Sequence, residues 1–131
     1  MPVSERSALI VDDDDDIREL LSVVLSRAGF AAAVVDGGLD ALVAAHDAPP
    51  AVYVLDVRMP DMNGHDVCRA LKADERTSAP VLMVSAEASD LDVAAAFASG
   101  CDDFLAKPFT PRELIGRLEE LLSRTAAGSA A

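Results

Sequence analysis

Cysteine is scarce. Two thiols, Cys68 and Cys101, in 131 residues are too few for a disulfide framework, and with His65 they form no cluster of metal-ligand spacing. No apolar run approaches the roughly 20 residues that cross a bilayer, so membrane insertion is not expected. The opening MPVSERS is charged and lacks the following apolar core and cleavage site of a signal peptide; a cytoplasmic location is the expectation. Basic residues are also few, 11 against 23 acidic ones. The resulting net charge of -12 argues against a polyanion-binding face and so against direct contact with nucleic acid. It suits a domain that holds a cation or meets a basic partner. What is present is an apolar fraction of 51%, well mixed with charge, and a length that suits one domain with its own core. No internal repeat is visible. The spacing predicts a domain over 1–125 and a flexible tail of small residues over 126–131.

One stretch organises the rest, Ala51 to Gly64, AVYVLDVRMPDMNG. Its apolar half is short, β-branched and aromatic, with Pro49-Pro50 before it and Pro60, Asn63 and Gly64 after it, which predicts a strand. Without alternation, both faces should be covered, the habit of a parallel sheet between helix layers. In such sheets chemistry collects at the carboxyl ends of strands, and Asp56 stands there. An aspartate in that position often does no more than open a turn. Here, however, other strand-like runs also end in polar groups: Asp12 and Asp13 after Ala8–Val11, Ser85 after Val81–Val84, Lys107 after Asp103–Ala106.

Five consecutive aspartates, Asp12 to Asp16, lead into a helix whose apolar face is predicted as Ile17, Leu20, Leu21, Val24 and Leu25. Asp14 or Asp16 can cap it, and the helix dipole favours carboxylates there. Asp12 and Asp13 are not explained by capping. Like charges a few ångströms apart repel by a few kcal/mol at an effective dielectric of about 20, so crowding them beside Asp56 makes sense if a cation is shared. Further along, Gly29 ends the first helix and Ala31–Val35 reads as a second strand. Leu39, Leu42 and Val43 suggest a short second helix, with His46 at its solvated end. Val67, Cys68 and Leu71 mark a third helix; Leu91, Ala94, Phe97 and Ala98 mark a fourth, ending at Gly100. Thr110, Pro111 and Glu113 open the last helix as a capping box, and Leu114, Ile115, Leu118, Leu121 and Leu122 form its apolar face. Strand and helix alternate five times, which calls for an α/β fold, a doubly wound parallel sheet with right-handed crossovers.

Taken together, LIVDDDDDIREL, LDVRMPDMNG, VLMVSA and GCDDFLAKPF resemble, in order and at family-like spacing, the receiver domain of bacterial two-component response regulators. The likeness covers residues 7 to 124. It implies a five-stranded sheet of order 2-1-3-4-5, the flavodoxin-like or CheY-like (βα)5 fold. It also implies that Asp56 accepts a phosphoryl group from a phosphohistidine on a sensor histidine kinase or a histidine phosphotransfer protein, so that the chain is a signalling phosphoacceptor whose only catalysis is of its own phosphorylation and dephosphorylation. The same likeness implies Mg2+ (or Mn2+) held by Asp12, Asp13, Asp56 and the backbone carbonyl of Arg58. Ser85 and Lys107 would contact the phosphoryl oxygens, Ser85 and Phe104 would act as the switch pair, and the Lys107-Pro108 bond would be cis. A downstream effector or second protomer would dock on the fourth helix, fifth strand and fifth helix.

Departures from the commonest family pattern are Asp15, Ser85, Cys101 and Phe104; the last lacks a hydroxyl, so a switch through it works by ring burial. Three other readings fit less well. A haloacid-dehalogenase-like phosphatase also uses an aspartate nucleophile, but its Asp-x-Asp pattern fails at Arg58. A receiver-like scaffold that is never phosphorylated would not need all five key positions filled. A calcium loop is excluded by the missing central glycine and distal glutamate.

Overall fold

The computed structural model describes residues 6–130, with side chains through residue 125. Five strands, β1 (Ser7–Val11), β2 (Ala31–Val35), β3 (Val52–Asp56), β4 (Val81–Ser85) and β5 (Asp103–Ala106), alternate with five helices. These are α1 (Asp15–Arg27), α2 (Gly38–Asp47), α3 (Gly64–Ala73), α4 (Asp90–Ala98) and α5 (Pro111–Ala130). All strand pairs are parallel and the order is β2-β1-β3-β4-β5. One short element was not foreseen, a 3-10 turn over Glu75–Thr77, whose Thr77 carbonyl accepts the buried Tyr53 hydroxyl at 2.7 Å.

Strand alternation divides the core in two. Ala8, Ile10, Val52, Val54, Leu82, Val84 and Leu105 face one way, onto Leu21 and Leu25 of α1 and Leu114, Leu118 and Leu121 of α5. Leu9, Val11, Tyr53, Leu55, Met83 and Phe104 face the other way, toward α2, α3 and α4. Both faces are covered, which is why the strands are apolar without alternation and why a parallel sheet is the stable arrangement. β2 stands at the edge of the sheet and is largely exposed.

Helix ends follow the local chemistry. The Asp14 side chain accepts from the backbone N–H of Asp16 and Ile17 at 2.9 and 3.2 Å. Gly29 and Gly100 adopt φ of 90° and 104°, the left-handed conformation that closes α1 and α4. Thr110 and Glu113 exchange the two bonds of the capping box, and Ser89 and Asp92 do the same on α4.

Three predicted apolar faces are corrected. On α4, Leu91, Ala94, Phe97 and Ala98 all lie outside, Leu91 at 83% exposure, and the helix packs through Ala96 and Ser99. In an alanine-rich helix hydropathy varies little around the axis, so the large apolar residues need not mark the buried side. On α2, Leu39 and Val43 are exposed and the contact is made by Gly38, Ala41 and Ala45, small residues that let the helix sit close. On α1, Leu20 is exposed while Leu21 and Leu25 are buried. At the carboxyl end, α5 runs to Ala130, which puts helix where a tail over 126–131 was expected; residue 131 lies outside the described residues.

Gly64 shows how tightly the sheet edge is built. A Cβ there would stand 2.4 Å from the Asp56 carbonyl oxygen and 2.7 Å from the Val57 Cα, both backbone atoms that cannot swing aside. We therefore expect Gly64→Ala to destabilise the fold by about 3 kcal/mol, read as a lower urea midpoint with an unchanged slope.

Candidate functional site: an acidic pocket at the carboxyl edge of the sheet

Register brings the candidate residues together. Val11 is level with Leu55, Asp56 with Val84, and Ser85 with Ala106. Asp12, Asp56, Ser85 and Lys107 therefore leave neighbouring strands at one edge. Two backbone bonds extend the ladder there, Val57 N–H to the Val84 carbonyl at 3.2 Å and Lys107 N–H to the Ser85 carbonyl at 2.8 Å. The Lys107-Pro108 peptide is cis.

One ammonium serves two buried carboxylates. Lys107 Nζ donates to Asp12 Oδ2 at 3.3 Å and to Asp56 Oδ1 at 3.4 Å. Asp12 is 2% exposed and Asp56 7%. The other oxygen of Asp12 accepts the Asp14 N–H at 3.0 Å, so the acidic run both caps α1 and fixes the first carboxylate. Asp13 is exposed but points a carboxylate oxygen at the same place: oxygens of Asp12, Asp13 and Asp56 lie within 4.8 Å of one another. Three carboxylates at that spacing against one lysine leave an excess of negative charge. Hard oxygen ligands of this kind suit Mg2+, Mn2+ or Ca2+, so the trio could hold a metal ion. Burial, and then the Asp12 carboxylate, push the Asp56 carboxyl above the usual range, while Lys107 opposes both.

An open cavity of about 640 Å³ lies beside the trio, lined in part by Asp13, Arg58, Asp61, Ser85 and Phe104. Ser85 is 4% exposed, and its hydroxyl oxygen accepts the Glu87 N–H at 3.0 Å. Phe104 sits in the core on the α4 side of the sheet. The thiols are not part of the cavity lining: Cys68 and Cys101 are buried and free, and burial pushes Cys101 up to about 12.

Two contributors were missed. The family likeness points only to the Arg58 carbonyl, whereas its guanidinium ion-pairs with Glu87, another residue of the cavity lining. The signal was available, since opposite charges stand two residues beyond the ends of two adjacent strands. Asp61, in the loop after β3, accepts from the backbone N–H of Gly38 at 3.0 Å and of Leu39 at 3.1 Å, and these bonds hold its carboxyl below the ordinary value. Only the Gly37-Gly38 pair hinted at such a close approach.

A family model described as the response regulator receiver domain matches residues 8–119. The chain belongs to that family. The receiver domain is 40% identical over 124 residues to the DNA-binding response regulator MtrA of Mycobacterium tuberculosis, an alignment covering 95% of this chain and 54% of that protein. The chain thus spans about half the length of such relatives. Among solved structures it resembles the Vibrio cholerae chemotaxis protein CheY4, with TM-score 0.86 at 31% identity over 90% of this chain and 99% of that one. It also resembles the BeF3-activated DrrB receiver domain, with TM-score 0.81 at 32% identity over 89% of this chain and 97% of that one. Among the described residues, no helix is long and apolar enough to cross a membrane.

The raised Asp56 carboxyl has a thermodynamic consequence. The folded state binds this proton more tightly than the unfolded chain, so the contribution of Asp56 to stability is fully present below the ordinary carboxylate range and is lost as pH rises through the raised value. In metal-free buffer at pH 7, Asp56→Asn should raise the melting temperature by a few degrees. The advantage should narrow as pH falls through the carboxylate range, where the wild-type group is protonated; thermal melts between pH 3 and 8, roughly the window of these titrations, test this.

Proposed function

We propose that this receiver domain takes a phosphoryl group onto Asp56 from a phosphohistidine on a sensor histidine kinase or histidine phosphotransfer protein, and that the modified domain changes its choice of partner. The observation that carries the reading is the convergence of Asp12, Asp13 and Asp56 with Lys107 at one strand edge. In the transfer a carboxylate oxygen of Asp56 forms the new bond to phosphorus, the bond from phosphorus to the donor imidazole nitrogen breaks, and that nitrogen keeps the electron pair. A carboxylate is a modest nucleophile, so the rate has to come from in-line positioning and from charge neutralisation at the phosphoryl oxygens.

The roles divide among residues already placed at the edge. Asp12, Asp13, Asp56 and the Arg58 carbonyl would hold Mg2+, which supplies positive charge to the transferred group. Lys107 already reaches Asp56 and would follow a phosphoryl oxygen, exchanging one carboxylate partner for a more strongly charged one. The Ser85 hydroxyl would donate to another oxygen, giving up its contact with the Glu87 N–H. Drawing Ser85 inward leaves room on the α4 side, where Phe104 lies, and remodels the face of α4, β5 and α5 on which an effector or second protomer docks. That a relative carries a BeF3-activated state supports a site of this chemistry. MtrA is named for DNA binding as a whole protein; the net charge of -12 speaks against a DNA contact by this segment.

Intact mass after incubation with acetyl phosphate tests the reading. One phosphoryl group should be gained by wild type with Mg2+, and none with chelator or in Asp56→Asn. No gain in wild type under any condition, or an undiminished gain in Asp56→Asn, would sink it.

A further inference from the structure

We propose that Asp61 is a positioning residue for the acidic pocket, holding the loop between β3 and α3 in register by capping α2 across the chain. The cap residue of α2 is Gly37, which has no side chain to satisfy the first N–H groups of the helix. Asp61 supplies both acceptors, one oxygen to Gly38 at 3.0 Å and the other to Leu39 at 3.1 Å. The approach is close enough to exclude side chains on the helix. A Cβ on Gly37 would lie 2.9 Å from Asp61 Oδ1, and one on Gly38 would lie 2.7 Å from Met62 Cβ and from Val67 Cγ2.

The same loop carries Arg58, a residue of the pocket lining whose carbonyl is the proposed fourth metal ligand. Its other ties do not reach α2. Gly64 N–H to the Val57 carbonyl at 2.8 Å closes the loop on itself, Asn63 caps α3 through the His65 N–H at 2.7 Å, and Arg58 pairs with Glu87. Asp61 therefore ties the middle of the loop to a helix packed on the sheet through Ala41 and Ala45. Because a carboxylate bound to two N–H groups at a helix start has little freedom, α2 becomes the reference against which the loop is placed. The inference rests on the reading of Asp12, Asp13 and Asp56 as a metal site.

Three variants and two readouts decide it. Arg76→Ala serves as control, since Arg76 Nε donates to the His46 carbonyl at 2.6 Å and its loss loosens α2 at the opposite end. By calorimetry Asp61→Ala should weaken Mg2+ binding about tenfold, the scale on which groups orienting metal ligands act, while Arg76→Ala leaves affinity near wild type. Asp61→Asn, with a single acceptor oxygen, should fall between. In metal-free protein, amide exchange at Arg58, Met59, Gly38 and Leu39 should quicken in Asp61→Ala but, at Arg58 and Met59, stay unchanged in Arg76→Ala. Unaltered Mg2+ affinity in a folded Asp61→Ala, or equal effects of the two alanine variants, would overturn the proposal. Wild type that takes up no Mg2+ fails the metal reading alone, and the exchange comparison then decides the role of Asp61.

Discussion

The contact of one ammonium with two buried carboxylates is the constraint on which this receiver domain turns. Lys107 reaches Asp12 and Asp56, and Asp13 adds a third carboxylate within 4.8 Å. Such a group is costly to assemble, because like charges repel more strongly as water is withdrawn. The sheet makes the assembly possible. Parallel strands with matched register deliver the side chains to one edge, and two helix layers keep the edge from relaxing. A site held at a charge excess has a built-in preference for a cation, and with it for a group of developing negative charge beside that cation.

The loops of the edge are held by polar ties of modest individual strength. Asp14 caps α1, Asn63 caps α3, and Asp61 reaches across to α2. Exposed pairs such as Arg58 with Glu87 contribute little to folding on their own. Their value lies in setting where the loops stand. Core packing supplies the stability, and these ties convert a stable sheet into a shaped pocket.

Much of this was legible in the sequence, and for physical reasons. Apolar runs closed by Asp56, Ser85 and Lys107 announce buried parallel strands and their functional edge at once, since the same backbone direction governs both. Capping signals at Asp14 and Thr110 are local and were readable for that reason. The misjudged faces of α2 and α4 are different. There alanine and glycine make the contacts, Leu39, Val43 and Leu91 are left outside, and the choice of face depends on how close the helix can approach the sheet. That is a tertiary property with little trace in hydropathy. The bridging of α2 by Asp61 also joins residues 22 and 23 positions apart, beyond the reach of any local pattern.

The most direct test of the central claim is the titration of the Asp56 side-chain carboxyl, followed by its carbon chemical shift in metal-free protein and again with Mg2+ present. A crowded, buried carboxylate that shares a cation should titrate above the ordinary range without metal and move sharply downward when Mg2+ is added. An ordinary titration that Mg2+ leaves unchanged would contradict the account, because neither the crowding nor the shared ion would then be real.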